Sequence, residues 1–256
     1  MEYNDFEFKV PEESNDYYEV SQHVIKAIEG ILAEAIEKGE NKIIINTNLR
    51  NGLPMENINK IAGPFVEAWA GELFQSISVN ANKWNLVHSE ACSRLGMADI
   101  ILQFAKNSTF GSVVTANVDS KATAEDLEDS GKSPNITSYA RIRTAYVEDA
   151  DFIFVILSLK HKVFSQKNNV TNLMDGVMEV VKYNAYDIKY ISESDLSYNP
   201  ALGTGQMQIR DIHYVQLTKR TTWEFCQLLD KKYLASSKRT LADWLKLANK
   251  FQWIKE

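Results

Sequence analysis

Asp119, Ser120 and Lys121 stand in succession at the end of the run "SVVTANVDSKAT". In a strand, residues i and i+2 share a face, so Asp119, Lys121 and Thr123 project together while Val118, Ser120 and Ala122 project to the other side. A carboxylate beside an ammonium is half of what phosphodiester hydrolysis asks for, which is a deprotonated water aligned on phosphorus and positive charge where negative charge develops. The second carboxylate is Asp99, which opens the run "ADIILQFAK". A short turn at residues 107–111 folds that run back on the Asp119 run as a hairpin and brings the two carboxylates within reach of one ion. Mg²⁺ takes oxygen ligands and keeps several waters, so Asp99, Asp119 and the Ser120 carbonyl make an adequate set. Lys121 then orients the attacking water.

Spacing alone specifies little. The same acid-x-Lys pattern occurs at Glu7, Glu40, Asp187 and Asp230. Glu7 lies in the N-terminal segment, Glu40 in a turn, and Asp230 in an expected helix where i and i+2 diverge, so all three read as solvated charges. Asp187, in "AYDIKYI", is the rival, but the acids before it, Asp175 and Glu179, fall on an expected helix. From pattern alone, a capped strand end with an exposed ion pair of small energetic weight outweighs the metal site. "LGTGQM" has two glycines and no third, and reads as a turn rather than a dinucleotide fingerprint. Trp223, Trp244 and Trp253 recur at helical spacing and read as core. The pairs Lys219-Arg220, Lys231-Lys232 and Lys238-Arg239 read as solvated faces, with phosphate contact the lesser alternative.

The elements that must position these residues follow from periodicity. Apolar residues from Val20 to Ile36 recur at helical spacing over Tyr18 to Lys38, closed by Gly39. "NKIIIN" is a short strand. Gly63-Pro64 marks the start of a helix whose buried stripe is Phe65, Ala68, Trp69, Leu73 and Ile77, with Glu67 beside it. Residues 125–138, "EDLEDSGKSPNITS", form a polar loop longer than a compact domain keeps without a use for it. "YARIRTAYV" is a helix, "DFIFVILSLKH" a strand buried on both faces, "TNLMDGVMEVVKY" a helix and "AYDIKYIS" a strand. "SYNPALGTGQMQIRDIHYV" is a Pro/Gly-rich turn feeding a strand, and "TTWEFCQLLDKKYL" and "TLADWLKLANKFQWI" are closing helices. The expected fold is α/β (α+β): a mixed central sheet flanked by helices, in a single domain over 1–256.

A chain of 256 residues with 45% hydrophobic composition can bury a sizeable core. Its longest apolar run, Phe152 to Leu157, is too short to span a bilayer, and the acidic start MEYNDFEF does not read as a secretory signal, so the expected location is the cytoplasm. Cys92 and Cys226 lie far apart, and His23, His88, His161 and His213 show no ligand pairing, which argues against structural zinc and a disulfide framework. The net charge of -6 argues at first against nucleic acid. It conceals an asymmetry: residues 1–130 hold 10 Lys+Arg against 21 Asp+Glu, and residues 131–256 hold 18 against 13. A basic face built from the second half is thereby allowed.

Taken in order, "AGPFVEAWAGELF", "MADIILQF", "VDSKAT", "GKSPNITSYARI" and "GQMQIRDIHYV" resemble the type II restriction endonucleases of the PD-(D/E)xK nuclease superfamily, in the EcoRV/HincII branch and nearest its HpaI-like members. The resemblance covers most of the chain from "INTNL" and "GLPMENINKIAGP" onward and implies a restriction-endonuclease-like core. Asp99 matches the first metal-binding aspartate, with Ala98 where the motif has its nominal proline, and Asp119 and Lys121 match the second acid and the catalytic lysine. Glu67 resembles a helical acid that supports the site in some members. Asn135 matches an asparagine of the HincII recognition loop that reads a base edge, with Lys132 and Ser133 beside it. Gln206 and Gln208 fall where a second DNA-contacting segment is expected, and amides suit adenine or guanine edges.

What the resemblance implies is a Mg²⁺-dependent homodimer that cuts a palindromic duplex, one strand per subunit. The implied site is GTTAAC, cut at its centre to leave blunt ends with 5′-phosphate and 3′-hydroxyl. Flexibility of the central pyrimidine–purine step contributes to recognition. The setting implied is the prokaryotic cytoplasm, with a cognate DNA methyltransferase protecting the host site. Two alternatives share these residues: a non-catalytic sequence-specific DNA-binding protein, and a structure-specific repair nuclease on the same core.

Overall fold

The structure of the chain is a computed structural model that describes residues 2–52, 55–93, 96–105 and 113–255, the side chains of residues 55–57 excepted. The elements in chain order are α1 (Tyr17–Glu37), β1 (Lys42–Ile45), α2 (Met55–Ser78), β2 (Leu86–Ala91), β3 (Ile100–Ala105), β4 (Val113–Ala124), β5 (Asn135–Ser138), α3 (Tyr139–Glu148), β6 (Ile153–Lys167), β7 (Met174–Asp187), β8 (Leu196–Asn199), β9 (Gln206–Ile209), α4 (Thr222–Leu234) and α5 (Leu241–Lys250). They divide between two compact units. One comprises Gln22–Gly131 and Val155–Tyr186, the other Met1–Ser21, Lys132–Phe154 and Asp187–Glu256.

The first unit is built on a six-stranded sheet in the order β1-β7-β6-β4-β3-β2. β6 sits inside the sheet, and its residues Ile153 to Leu159 are all buried, the polar Ser158 among them, as expected of a strand covered on both faces. β3 and β4 pair antiparallel from Ile100↔Val118 to Ala105↔Val113, which is the expected hairpin. Its turn, residues 107–111, lies outside the described residues. β3 alternates fully buried with half-buried residues, so Ile100, Leu102 and Phe104 are committed to the core. α2 lays Ile58 and Ala62 against Val163 of β6, Met178 of β7 and Ile43 and Ile45 of β1, and it also packs on β2 and β4. In α1, Gly30 lies so close to the Trp84 ring that a Cβ there would collide with it.

The second unit carries an antiparallel three-stranded sheet, β5-β9-β8. Met207 and Ile209 of β9 are fully buried. Beside them lies an aromatic core that includes Tyr139, Phe225, Tyr233, Trp244 and Trp253. Its polar centre is an Arg143–Asp230 ion pair at 3.1 Å with neither side chain exposed. The Tyr3 and Tyr139 hydroxyls donate to Asp230, and the Trp223 and Trp253 rings flank the guanidinium at 5.7 and 5.1 Å. α4 and α5 both begin with capping boxes, Thr221 with Glu224 and Thr240 with Asp243.

The mixed sheet flanked by helices agrees with the expected architecture, and five local expectations are corrected. α2 begins at Met55, so Pro64 lies inside the helix rather than at its start. Its buried stripe is Ile58, Ala62, Val66, Ala70 and Phe74, whereas Phe65 is 43% exposed. "TNLMDGVMEVVKY" is not a helix: β7 runs through it, paired with β1 from Lys42↔Glu179 to Ile45↔Gly176. The polar loop gives way at Asn135 to strand β5. Asp230 is wholly buried, not solvated. Among the described residues no helix is long and apolar enough to cross a membrane.

Candidate active site

The hairpin register sets the centre of the site. With Ile100 opposite Val118, the next position puts Asp99 opposite Asp119, and the Asp99 amide donates to the Val118 carbonyl at 2.9 Å. The Asp99 carboxylate does not float free. Its Oδ2 accepts the Ser120 amide at 2.8 Å, a bond that ties the first acid to the backbone between the second acid and the lysine. Lys121 Nζ lies 2.7 Å from Asp119 Oδ2 and 3.5 Å from the Ser120 carbonyl oxygen. The expected same-face pairing of Asp119 and Lys121 is therefore present, but not at the surface. The Asp119 side chain is 6% exposed and that of Lys121 is 25% exposed.

Burial pushes the Asp119 carboxyl up to about 7; Lys121 opposes that shift, and the charges of Asp99 and Glu67 add to it. Glu67 is positioned from α2, where it accepts the Ala122 amide of β4. Its carboxyl is also raised, first by burial and then by the charge of Asp99. Three carboxylates thus crowd one end of β4 against the Lys121 ammonium. Among the described residues no three His, Cys, Asp or Glu side chains converge as a ready cage. The donor set nevertheless fits a hard divalent cation, because mutually repelling carboxylates and a backbone carbonyl are what such an ion neutralises and binds.

Glu67 and Asp99 open onto a cavity of about 540 Å³ that is also lined by Gln75 of α2 and by His88, Glu90 and Cys92 on and after β2. His88 Nε2 and Glu90 Oε2 stand 3.6 Å apart. β2 is not legible in the sequence, because its burial repeats as one buried residue followed by two exposed ones rather than in strict alternation.

The look-alikes are disposed of by their surroundings. Asp187 is buried and accepts from the Tyr17 hydroxyl at 2.9 Å, the Ser21 hydroxyl at 2.7 Å and the Lys189 amide at 3.0 Å. Its lysine is turned elsewhere, Lys189 Nζ lying 2.6 Å from Glu13 Oε2. Asp230 belongs to the buried Arg143 pair. Glu7 pairs with Lys255 at 2.8 Å.

The five residues expected to contact DNA gather in the second unit. Lys132 bridges to Asp211, and the Ser133 amide donates to the Arg210 carbonyl at 3.0 Å. Asn135 of β5 sits directly opposite Gln208 of β9, and Ser138 opposite Gln206. Of the basic pairs, the two arginines are committed to the fold and Lys231 and Lys232 make bonds at the surface. Arg220 donates to the Ile191 carbonyl, Lys231 pairs with Glu193, Lys232 donates to the Glu193 carbonyl, and Arg239 donates to Tyr198 Oη and to the Pro200 and Gly203 carbonyls.

Comparison with known proteins supplies the rest. The family model described as type II restriction endonuclease HpaI matches residues 4–252. The type II restriction enzyme HpaI of Haemophilus parainfluenzae is 58% identical over 257 residues, covering 100% of both chains. The chain belongs to the HpaI family of type II restriction endonucleases, site-specific deoxyribonucleases whose substrate is DNA.

Proposed function

We propose that this enzyme is a Mg²⁺-dependent homodimer that cuts duplex GTTAAC between its central bases, each subunit hydrolysing one strand. Asp99, Asp119 and the Ser120 carbonyl would hold the ion, which when bound lowers the pKa of a coordinated water and offsets charge developing on the phosphate. Lys121 directs a hydrogen bond to the attacking water and holds it in line with phosphorus. Water oxygen bonds to phosphorus as the bond to the 3′-oxygen breaks, leaving a 5′-phosphate and a 3′-hydroxyl. Glu67 supports the site from α2, and Lys132, Ser133, Asn135, Gln206 and Gln208 face the DNA. A methyltransferase acting on the same sequence protects the host. The whole chain works as one subunit.

The observation that carries this reading is the bond from the Ser120 amide to Asp99 Oδ2 beside the 2.7 Å Asp119–Lys121 pair. Together they hold two acids and a lysine on neighbouring strands in fixed register. Fragment-end sequencing of a digested random DNA library tests it. The expected result is blunt ends falling within GTTAAC in Mg²⁺ and no cutting by Asp119→Ala or Lys121→Ala. Staggered ends, another sequence, or full cutting by Asp119→Ala would overturn it.

A further inference from the structure

The amides of Asn135 and Gln208 are not free to turn. Gln208 Nε2 lies 3.0 Å from the Ser133 carbonyl and 3.0 Å from Asn135 Oδ1. A carbonyl oxygen can only accept, so the Gln208 atom facing Ser133 must be its NH₂ group. The second hydrogen of that group then requires an acceptor at its other neighbour, which fixes the Asn135 amide with Oδ1 inward. The orientation of both side chains follows from one backbone carbonyl.

That carbonyl is itself held. Ser133 takes a left-handed backbone with φ 49° although it precedes Pro134, a position that favours extended conformations. The bond from its amide to Arg210 and the bridge between Lys132 and Asp211 keep it there. Strain at a non-glycine residue persists only where the surrounding bonds over-determine it.

With Nε2 of Gln208 and Oδ1 of Asn135 both turned inward, the pair has one donor group left, Asn135 Nδ2, and one acceptor, Gln208 Oε1. We infer that Asn135 and Gln208 read a single adenine together in the major groove, Asn135 Nδ2 donating to N7 and Gln208 Oε1 accepting from the N6 amine. Guanine is excluded by polarity, because its groove edge offers two acceptors, N7 and O6, and the locked pair has only one donor group to meet them. Gln208 is thus a specificity residue twice over: it contacts the base and it fixes which atom of Asn135 faces it. The inference rests on the DNA-facing role proposed above for these two residues.

Base analogues separate the two contacts. On the sequence that the enzyme cuts, and with the divalent ion that supports cutting, each adenine is replaced in turn by 7-deazaadenine, which lacks N7, and by purine, which lacks the amine. For the wild type, one adenine per half-site should show both penalties in single-turnover cutting, each on the order of tenfold. Asn135→Asp keeps the inward acceptor and loses the outward donor, so the 7-deaza penalty should vanish while the purine penalty stays. Gln208→Leu should abolish the purine penalty. The inference fails if the two penalties never coincide on one adenine, or if both persist unchanged in both variants. Where a variant does not fold, penalties that never coincide on one adenine in the wild type still overturn the inference. A cut sequence other than GTTAAC, or an ion other than Mg²⁺, would overturn the function proposed above and leave this pairing to stand or fall on the analogues alone.

Discussion

Two aspartates show the two uses a fold makes of a buried charge. Asp119 is held in the interior against its own solvation, with its carboxyl at about 7 because burial outweighs the Lys121 ammonium. Its unfolded value is near 3.8, so the folded state binds more protons than the unfolded state between those values. This group's contribution to stability is therefore greatest below about pH 4 and is lost as pH rises through 7. Asp119→Asn should stabilise the metal-free protein at pH 8 by roughly 4 kcal/mol at most, the advantage shrinking to nothing near pH 4. Urea unfolding at pH 4, 6 and 8 checks this, and an Asn variant less stable than wild type at pH 8 would show that the carboxylate is net stabilising. Asp230 is the opposite case. It is fully buried but satisfied by Arg143, Tyr3 and Tyr139. Asp230→Ala leaves a buried guanidinium without its counter-charge and should cost about 3–5 kcal/mol, read as a lowered unfolding midpoint across the pH range in which Arg143 stays charged.

At the scale of elements, what was legible was local. The β3–β4 hairpin announces itself by alternation and a short polar turn, and once it forms, Asp99 has nowhere to be but opposite Asp119. The β7 segment hid because Leu173, Met174, Val177, Met178 and Val181 recur at three- and four-residue spacing that a helix would also satisfy. The pairing with β1, which comes more than a hundred residues earlier in the chain, decides for a strand. Pro64 misled for a related reason: a proline suits the first helical turn, but here packing of Ile58 and Ala62 extends α2 ahead of it. The residues proposed to face the DNA are placed by resemblance, and the bond between Asn135 and Gln208 is not legible in the sequence because it joins strands 73 residues apart. The turn that feeds β9 offers a test. Gly203 and Gly205 both have positive φ, 51° and 88°, but only at Gly205 would a Cβ meet the Tyr198 ring. Gly203→Ala should cost about 1 kcal/mol from backbone strain, and Gly205→Ala a further 1–3 kcal/mol because Tyr198 is held by Thr204 and Arg239. Equal losses in urea midpoint would mean that the Tyr198 contact carries no weight.

For the whole molecule, the charge asymmetry between the two halves of the sequence does not survive folding. The six-strand unit holds 13 Lys+Arg against 16 Asp+Glu and the other unit 15 against 18, so each carries a net charge of -3. Arg220 and Arg239 are tied to backbone carbonyls as well, so the basic second half of the sequence does not become a basic unit of the fold. The homodimer proposed above has a direct consequence. If each subunit hydrolyses one strand, a dimer with one intact centre and one Asp119→Asn centre can break only one strand per binding event. Co-expressing the two chains with different tags and isolating the doubly tagged species gives that mixed dimer. On a supercoiled plasmid with a single site it should accumulate open circles, whereas the wild type proceeds to linear product. Linear product from the mixed dimer at the wild-type rate would mean that one centre serves both strands, and a failure to recover any doubly tagged protein, alone or on DNA, would mean that the enzyme does not work as a pair.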